Sequence, residues 1–495
     1  MARSYWLTRF LMLRLLGFVY VFAFLSLALQ VLPLVGHDGL LPADRFLDAV
    51  ARGLGSRGAG FLALPGLFWL GISDAALTAL AWLGFGLSLC VLAGFANSLL
   101  LAALWALYLS FVHVGQEWYG FGWEIQLLET GFLAIFLCPL LDARPFPRRP
   151  PPAVVVWLYR WLIFRIMLGA GLIKLRGDPC WRELRCLDFH FETQPIPNPL
   201  SRAFHFLPEW AHRGGVLLNH AAELVAPWLV FAPRWLCRGA GIVMLGFQAM
   251  LLLSGNLSFL NWLTIVPILT CFDDALLRRA LPRRLVARAE RAAAEATRSR
   301  GQEIAALALA GVVALLSVSP VANLLSPAQA MNRSFDPLEL VNTYGAFGSV
   351  GRVRSEIVLE GTDASELGPD TRWREYELPC KPGDVHRRPC VVSPYQPRLD
   401  WQIWFAAMAT PAEHPWMLRL VWKLLHGDPG VRSLFASDPF PERPPRWIRA
   451  RLYRYRFAPP GGDAWWERTL DGEWLPPLSA EDPRLRRALS GDGWS

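Results

Sequence analysis

Lysine, charge and catalytic signature motifs are scarce in this chain. Charged residues make up 18% of its 495 residues, against about a quarter in soluble domains, and Lys occurs only at Lys174, Lys381 and Lys423. The sequence has no phosphate-binding loop, dinucleotide fingerprint, serine-nucleophile elbow or CxxC metal motif. These absences argue against nucleotide-dependent enzymes, serine hydrolases and zinc enzymes, so no cofactor and no metal are expected.

Apolar sequence, by contrast, is abundant and comes in long blocks. Hydrophobic residues make up 53% of the chain, with 23 Trp and 29 Phe, a composition that suits membrane interfaces and helix packing. Each block is close to the roughly 20 residues that a helix needs to cross a bilayer. The first block is expected to be an uncleaved span, because it is longer than the apolar core of a signal peptide. About nine spans are predicted, at residues 11–32, 75–95, 97–115, 122–141, 153–175, 214–232, 238–254, 257–272 and 303–319.

Basic residues gather in short loops between these blocks, which predicts an orientation. Under a nine-span count, the Arg-bearing loops 142–152, 233–238 and 273–302 fall on one side, and the positive-inside rule makes that side cytoplasmic. The N-terminus is then cytoplasmic, and residues 320–495 lie outside, in the ER lumen or the periplasm. These loops account for the net charge of +8, so nucleic-acid binding is not expected.

The chain is predicted to be an α-helical multi-pass transmembrane bundle followed by a β-rich, sandwich-like soluble domain. Residues 1–319 form the membrane region, with an outer loop at 176–213, and residues 320–495 form the soluble domain. A short helix is predicted at Pro415–Leu425. Strand-like runs bounded by turn residues occupy Ser355–Thr362, Trp373–Cys380, Leu399–Phe405 and Trp447–Phe457.

Four cysteines fall on the predicted outer side of the membrane. Cys180 and Cys186 lie in the outer loop, and Cys380 and Cys390 lie in the soluble domain. Disulfides persist in the oxidising compartments outside the cytoplasm. Because both spacings are compatible with a bridge, Cys180–Cys186 and Cys380–Cys390 are candidate disulfides.

Ionisable residues inside predicted spans are costly and need a reason. Glu129, Arg165 and Glu223 lie in three different spans, where they either pair with each other and lock helices together or line a functional site. Lys174 stands at the outer end of the fifth span. It either reaches the membrane interface or acts as a desolvated base or nucleophile. His220 shares a helical face with Glu223.

The outer loop carries a stiff polar segment. Between His190 and Pro199, three prolines at alternate positions favour an extended backbone. Glu192, Gln194 and Asn198 stand in the same segment. The segment is therefore either a recognition surface or lid, or an ordered connector.

Three long sequence blocks carry information beyond composition. They lie at residues 165–199, 219–274 and 381–457. Their characteristic runs are Asp188-Phe-His190-Phe-Glu-Thr-Gln-Pro-Ile-Pro-Asn-Pro199, Asn219-His220-Ala-Ala-Glu223 and Pro397-Arg-Leu-Asp400-Trp-Gln-Ile-Trp404-Phe. Together the blocks resemble the lipase maturation factor family, over roughly residues 110–470.

This resemblance implies an ER multi-pass membrane protein with a lumenal C-terminal domain. It also implies a role in helping secreted lipases to fold and assemble into active dimers, rather than an established enzymatic activity. The use of Arg in place of Lys, with abundant Ala, Pro and Gly, is typical of a GC-rich genome and favours a bacterial member. In a bacterium, the corresponding location is the inner membrane.

The first functional hypothesis is a folding factor. The chain would lie in the lipid bilayer and bind a secreted client, such as a lipase, through the outer-loop residues His190, Glu192, Gln194 and Asn198 and through the soluble domain. Asp400, Trp401 and Trp404 are the candidate contacts in that domain, unless its Trp residues form the core instead.

The second hypothesis is a membrane enzyme that is distantly similar to vitamin K-dependent carboxylases. Its site would lie at the outer face and contain Lys174, His190, His220 and Glu223. A perturbed Lys close to His and carboxylate groups is suited to proton transfer. The sequence identifies neither the client nor the oligomeric state under either hypothesis.

Overall fold

The computed structural model describes residues 4–491, in which a helical N-terminal region precedes a mixed C-terminal region. The helices of the first region are α1 (Trp6–Val35), α2 (Ala43–Gly53), α3 (Arg57–Ala63), α4 (Asp74–Ala93), α5 (Ser98–Val114), α6 (Gly122–Ile135), α7 (Ala153–Arg176), α8 (Pro179–Arg182), α9 (Leu187–Thr193), α10 (Pro199–His205), α11 (Glu209–His220), α12 (Ala226–Leu229), α13 (Arg234–Ser254), α14 (Leu260–Ile268), α15 (Asp274–Ala280), α16 (Arg283–Ala294), α17 (Arg300–Leu316) and α18 (Val318–Leu325).

Several of these helices are suited to a bilayer. In the described part of the chain, five are long and apolar enough to cross a membrane, namely α1, α4, α7, α13 and the pair α17–α18. A sixth span results if α14 and α15, which are bent by 117° relative to each other, count as one. The other predicted spans contain the shorter helices α5, α6 and α11–α12. The multi-pass helical architecture is therefore confirmed, whereas the number of nine spans stays a prediction.

Small residues allow α1 and α4 to pack closely. A Cβ atom on Gly17 of α1 would lie 2.6 Å from the backbone nitrogen of Leu92 in α4. A Cβ atom on Gly84 of α4 would lie 2.2 Å from the ring of Phe24. Because membrane helices gain stability mainly from close packing, these glycines are positions where a larger residue would separate the pair.

A wider helical turn joins α11 to α12. The π-helical turn Ala221–Val225 lies directly before Pro227. Proline has no N–H to donate to the carbonyl four residues earlier, and its ring clashes with that carbonyl. Here that carbonyl belongs to Glu223, so the π turn accommodates the proline. Such turns frequently occur at functional sites.

The C-terminal region is built on an antiparallel sheet with order β2-β1-β3-β4. β1 pairs with β3 along its whole length, with Glu356 opposite Tyr453. Helical and β-containing regions thus follow each other as predicted, although residues 4–491 contain one four-stranded sheet rather than the two sheets of a sandwich. The elements are β1 (Arg354–Thr362), β2 (Arg374–Glu375), α19 (Arg398–Ala406), α20 (Trp416–Leu425), α21 (Pro429–Arg432), β3 (Trp447–Phe457), β4 (Trp466–Leu478) and α22 (Pro483–Gly491).

Two of the predicted strands need correction. The run 373–380 contributes only the two residues of β2, and the run 399–405 is helical and forms α19. In α19, Leu399, Ile403 and Ala406 follow helical spacing and are all buried. Phe405, which an alternating strand would bury with them, is 38% exposed. The apolar residues of this run fit both the two-residue period of a strand and the spacing of a helix, and packing against the membrane helices selects the helix.

α19 joins the two regions through buried polar contacts. Arg398 N donates to Gln30 Oε1 of α1 at 2.8 Å, and its side-chain Nη1 donates to Glu124 Oε1 of α6 at 2.9 Å. Ser26 Oγ of α1 donates to the carbonyl of Gln396 at 2.8 Å. The C-terminal region therefore stands directly on the ends of the membrane helices.

Candidate functional site

A cavity of about 410 Å³ lies where the membrane helices meet the C-terminal region. Sites for small ligands typically measure about 300–1,000 Å³ and are mostly apolar with a few polar groups. Side chains of α6, α7, α13 and α14 form one wall, and α19 and the segment 344–353 form the other. Of the predicted site residues, the cavity is lined by His190, Gln194, Glu223, Trp401 and Trp404.

Lys174 and Glu223 form a buried ion pair beside this cavity. Lys174 Nζ lies 2.5 and 2.6 Å from the two carboxylate oxygens of Glu223. Asn219 Nδ2 donates a further hydrogen bond to Glu223 at 2.9 Å, and Trp181 packs against the ammonium group. The π turn brings Glu223 to this position. Both carboxylate oxygens of Glu223 hold Lys174, a pairing that neither prediction for this residue included.

The two histidines of the predicted site, His190 and His220, have different contacts. The ring of His190 contacts the ring of Phe347 edge-on. Burial, and secondarily the charge of Lys174, lowers the pKa of His190 to about 4, so this imidazole is neutral at physiological pH. His220 Nε2 lies 3.0 Å from the carbonyl oxygen of Trp181, to which it donates. His190 and His220 therefore lie near the Lys174–Glu223 pair, but among the described residues neither imidazole hydrogen-bonds to Lys174 or Glu223.

Glu129 and Arg165 are paired, and the C-terminal region completes their environment. Arg165 Nη2 contacts Glu129 Oε1, and Arg165 Nη1 donates to the carbonyl of Asn342 at 2.6 Å. Glu129 Oε2 accepts from Asn342 N at 3.1 Å and from the Tyr344 hydroxyl at 2.7 Å. Of the alternatives open from the sequence, pairing fits this geometry, although Glu223 pairs with Lys174 and not with Arg165. The segment 342–344 was missed because no local pattern marks it.

The polar residues of the outer loop hold the loop in place. Gln194 Nε2 donates to the carbonyl of Ser254 at 2.8 Å, and Asn198 Oδ1 accepts from two backbone N–H groups at the start of α10. Glu192 Oε2 accepts from Phe457 N in β3 at 2.8 Å. These contacts fix the loop to the membrane helices and the sheet, which fits the interpretation of an ordered connector.

The candidate contacts in the C-terminal region are also internal. Asp400 Oδ1 accepts from the backbone N–H groups of Cys380 and Lys381 at 2.7 and 2.8 Å. Burial raises the pKa of Asp400 to about 6, and these two N–H groups oppose the increase. Trp401 packs against aromatic rings of the α6 end, and Trp404 Nε1 donates to the carbonyl of Thr193 at 3.2 Å. These tryptophans therefore belong to the junction between the two regions.

A second buried cluster escaped sequence reasoning. Arg354 donates to three backbone carbonyls of the outer loop, at 2.5–3.0 Å, and lies 2.5 Å from Glu356. Glu356 also contacts Lys381 Nζ. Lys381 is one of only three lysines in the sequence, but its partner lies in β1 and no sequence spacing indicates it.

The disulfide candidates are bonded in the structure, as Cys180–Cys186 and Cys380–Cys390. Among the described residues, Asp178 forms a cluster of potential metal ligands with Cys180 and Cys186. Since the two sulfur atoms are bonded to each other, this cluster offers only a carboxylate to a metal, which is a poor zinc site.

Comparison with known proteins places this arrangement in a family. Residues 7–279 match the family model "Lipase maturation factor transmembrane domain", and residues 340–476 match "Lipase maturation factor C-terminal domain". No solved structure matches the chain. The two matched ranges together contain most of the cavity lining, the Lys174–Glu223 and Arg165–Glu129 pairs, and the sheet up to residue 476.

The similarity to individual proteins extends over nearly the whole chain. The chain is 51% identical to bovine Lipase maturation factor 1, over 98% of this chain and 91% of the relative. It is 47% identical to human Lipase maturation factor 1, over 99% of this chain and 91% of the relative. It is 32% identical to mouse Lipase maturation factor 2, over 96% of this chain and 83% of the relative. These matches give no support to the alternative of a carboxylase-like enzyme. The chain is a multi-pass membrane protein of the lipase maturation factor family.

Proposed function

We propose that this chain is a membrane-embedded maturation factor that assists the folding and assembly of secreted lipases. The observation that carries the proposal is the similarity to Lipase maturation factor 1 across both regions, at 51% identity over 98% of the chain. The use of the ionisable residues agrees with it. Lys174 and Arg165 are both engaged by buried carboxylates, so they stabilise a scaffold instead of being free for catalysis.

The proposed orientation has a cytoplasmic N-terminus and a C-terminal region outside. The start of α1 contacts the basic loop 273–302, because Trp6 N donates to Asp274 at 2.9 Å. The other end of α1 contacts the C-terminal region, where Gln30 Nε2 donates to the carbonyl of Gln396 at 2.8 Å. These contacts support opposite sides for the basic loop and the sheet. The membrane is that of the ER in a eukaryotic source and the inner membrane in a bacterial one.

The experiment is a rescue in cells that lack their own lipase maturation factor. The chain is expressed together with a secreted lipase, and lipase activity in the medium is divided by lipase mass. We expect the chain to raise this specific activity, because more of the secreted lipase is correctly assembled. An unchanged specific activity, in cells where the chain is inserted and abundant, would refute the proposal.

A pair of variants distinguishes a scaffold from an enzyme in the same assay. Lys174→Met leaves the buried carboxylate of Glu223 without its cation and should strongly reduce the amount of folded chain, since breaking such a pair costs about 3–5 kcal/mol. Lys174→Met combined with Glu223→Gln removes both charges and should restore much of the folded protein and the lipase activity. An inactive double variant that is folded and abundant would instead indicate a chemical role for Lys174.

A further inference from the structure

The cavity at the junction has the dimensions and the lining of a site for a small ligand. Its inner wall consists of apolar side chains from membrane helices, among them Ile166 and Met167 of α7 and Phe247 and Leu251 of α13. Trp404 of α19 covers the opposite side. At about 410 Å³ it falls within the range for small organic ligands. An apolar molecule would therefore be well accommodated.

The charges in the cavity wall are already neutralised. Glu223 is bound through both oxygens by Lys174, and Arg354 is engaged by Glu356 and by outer-loop carbonyls. His190 adds a neutral imidazole. A charged ligand would enter without a partner for its charge, and burying an unpaired charge is very costly. The wall therefore favours an uncharged molecule.

Neutral polar side chains of the membrane helices also line the cavity. Asn261 Nδ2 donates to Gln248 Oε1 at 2.8 Å, and Gln126 Nε2 donates to Thr264 Oγ1 at 3.1 Å. Asn261 is only 1% exposed, yet its Oδ1 atom accepts no hydrogen bond from any described residue. An unsatisfied buried acceptor costs about 1–3 kcal/mol. A ligand hydroxyl at this position would satisfy it.

The mouth of the cavity carries exposed apolar side chains. Its rim includes Met331, Phe405 and Met408, which are all exposed. Met331 follows α18 in the sequence, and the exposed Val318 and Leu325 of α18 are typical of a surface that faces lipid. These exposed apolar side chains at the mouth are suited to contact a hydrocarbon chain. Methionine side chains at the rim can adapt to such a chain.

We propose that the cavity binds an uncharged single-chain lipid with a hydroxyl group, such as a monoacylglycerol. The hydroxyl donates to Asn261 Oδ1, and the hydrocarbon chain runs past Trp404 toward Met331 and Met408. This binding is a further property of the chain and does not depend on its action on lipases.

The test uses the full chain in phospholipid nanodiscs and a monoacylglycerol probe with a photoreactive diazirine in its acyl chain. After illumination, labelled peptides are identified by mass spectrometry. We expect label on α19, on Met408 and on the segment 344–353, which line the path of the acyl chain. We also expect unlabelled monooleoylglycerol to displace the probe much better than oleate, which has the same chain and a negative charge. Equal displacement by oleate, or label confined to the lipid-facing helices, would overturn the proposal.

Two variants connect the label to the cavity. Asn261→Leu removes the acceptor and should weaken displacement by monooleoylglycerol about three- to tenfold. Ala346→Trp places a large side chain in the lining and should abolish cavity label, whereas the matched control Ala364→Trp lies outside the lining and should leave it unchanged. Label that survives Ala346→Trp would contradict the proposal even if Asn261→Leu does not fold. Displacement by unfolded lipase but not by monooleoylglycerol would also overturn it, because the cavity would then be a client site.

Discussion

Replacing Arg398 with Met should separate the C-terminal region from the membrane helices. Arg398 is fully buried, and its Nη1 atom donates to Glu124 Oε1 at 2.9 Å and to the carbonyl of Trp118 at 2.5 Å. Its guanidinium lies 3.4 Å from the ring centre of Tyr119. Met fills a similar volume but removes the charge, which leaves the Glu124 carboxylate buried with only neutral donors.

The expected magnitude follows from the burial of this pair. Removing one partner of a buried ion pair costs about 3–5 kcal/mol, because the remaining charge is uncompensated, whereas removing both charges is often close to neutral. We therefore expect Arg398→Met to destabilise the junction by about that amount. Adding Glu124→Gln should recover most of the loss. The coupling of the two changes in a double-mutant cycle measures the contribution of the pair.

The assay is thermal unfolding of the purified chain in nanodiscs, combined with limited proteolysis between α18 and β1. Arg398→Met should lower the midpoint temperature of unfolding and expose this connection to protease. Arg446→Met, at an exposed position, should change neither. A loss below about 1 kcal/mol, the value of a surface ion pair, would refute the reasoning. A double variant whose loss is the plain sum of the two single losses would refute it as well.

Three further changes test other parts of the fold. Cys380→Ser and Cys390→Ser should each cost about 2–4 kcal/mol in chemical unfolding, and the double variant should cost no more than either one, since all three remove the same bond. Burial raises the pKa of Glu339 to about 7, so the folded protein favours the protonated form of this side chain. The melting temperature should therefore fall as the pH rises through about 7. Glu339→Gln should make the melting temperature less dependent on pH in this range. Gly17→Ala should destabilise the α1–α4 packing by about 1–3 kcal/mol, measured by thermal unfolding, whereas Gly86→Ala, with open space around it, should not.

The features that the sequence predicted are those determined by residues close together in the chain. The apolar blocks predicted the membrane helices because a helix satisfies its own backbone groups within each block. The cost of charge in a membrane drew attention to Glu129, Arg165, Lys174 and Glu223, which form two buried ion pairs in the structure. The sequence could not predict the Lys174–Glu223 pair, because the partner of Lys174 depends on how α7 packs against the π turn.

Non-local contacts account for what was missed. Arg398 and Glu124 are 274 residues apart, and no spacing rule links them. The run 399–405 alternates like a strand and also carries a helical stripe, so only its packing at the junction decides between the two. The prolines of the outer-loop segment predicted an extended backbone, although residues 190–193 belong to α9. The hydrogen bonds of this segment to β1 and β3 depend on the folded chain and have no local sequence signal.

The most direct test of the maturation role is a reconstituted folding assay. The purified chain is placed in proteoliposomes with its C-terminal region outward, and a denatured lipase is diluted into the suspension. We expect a yield of active lipase that rises with the amount of chain, needs no added cofactor and persists in the Lys174→Met/Glu223→Gln variant. An unrelated secreted enzyme should gain nothing. A yield equal to that of empty liposomes would contradict the account.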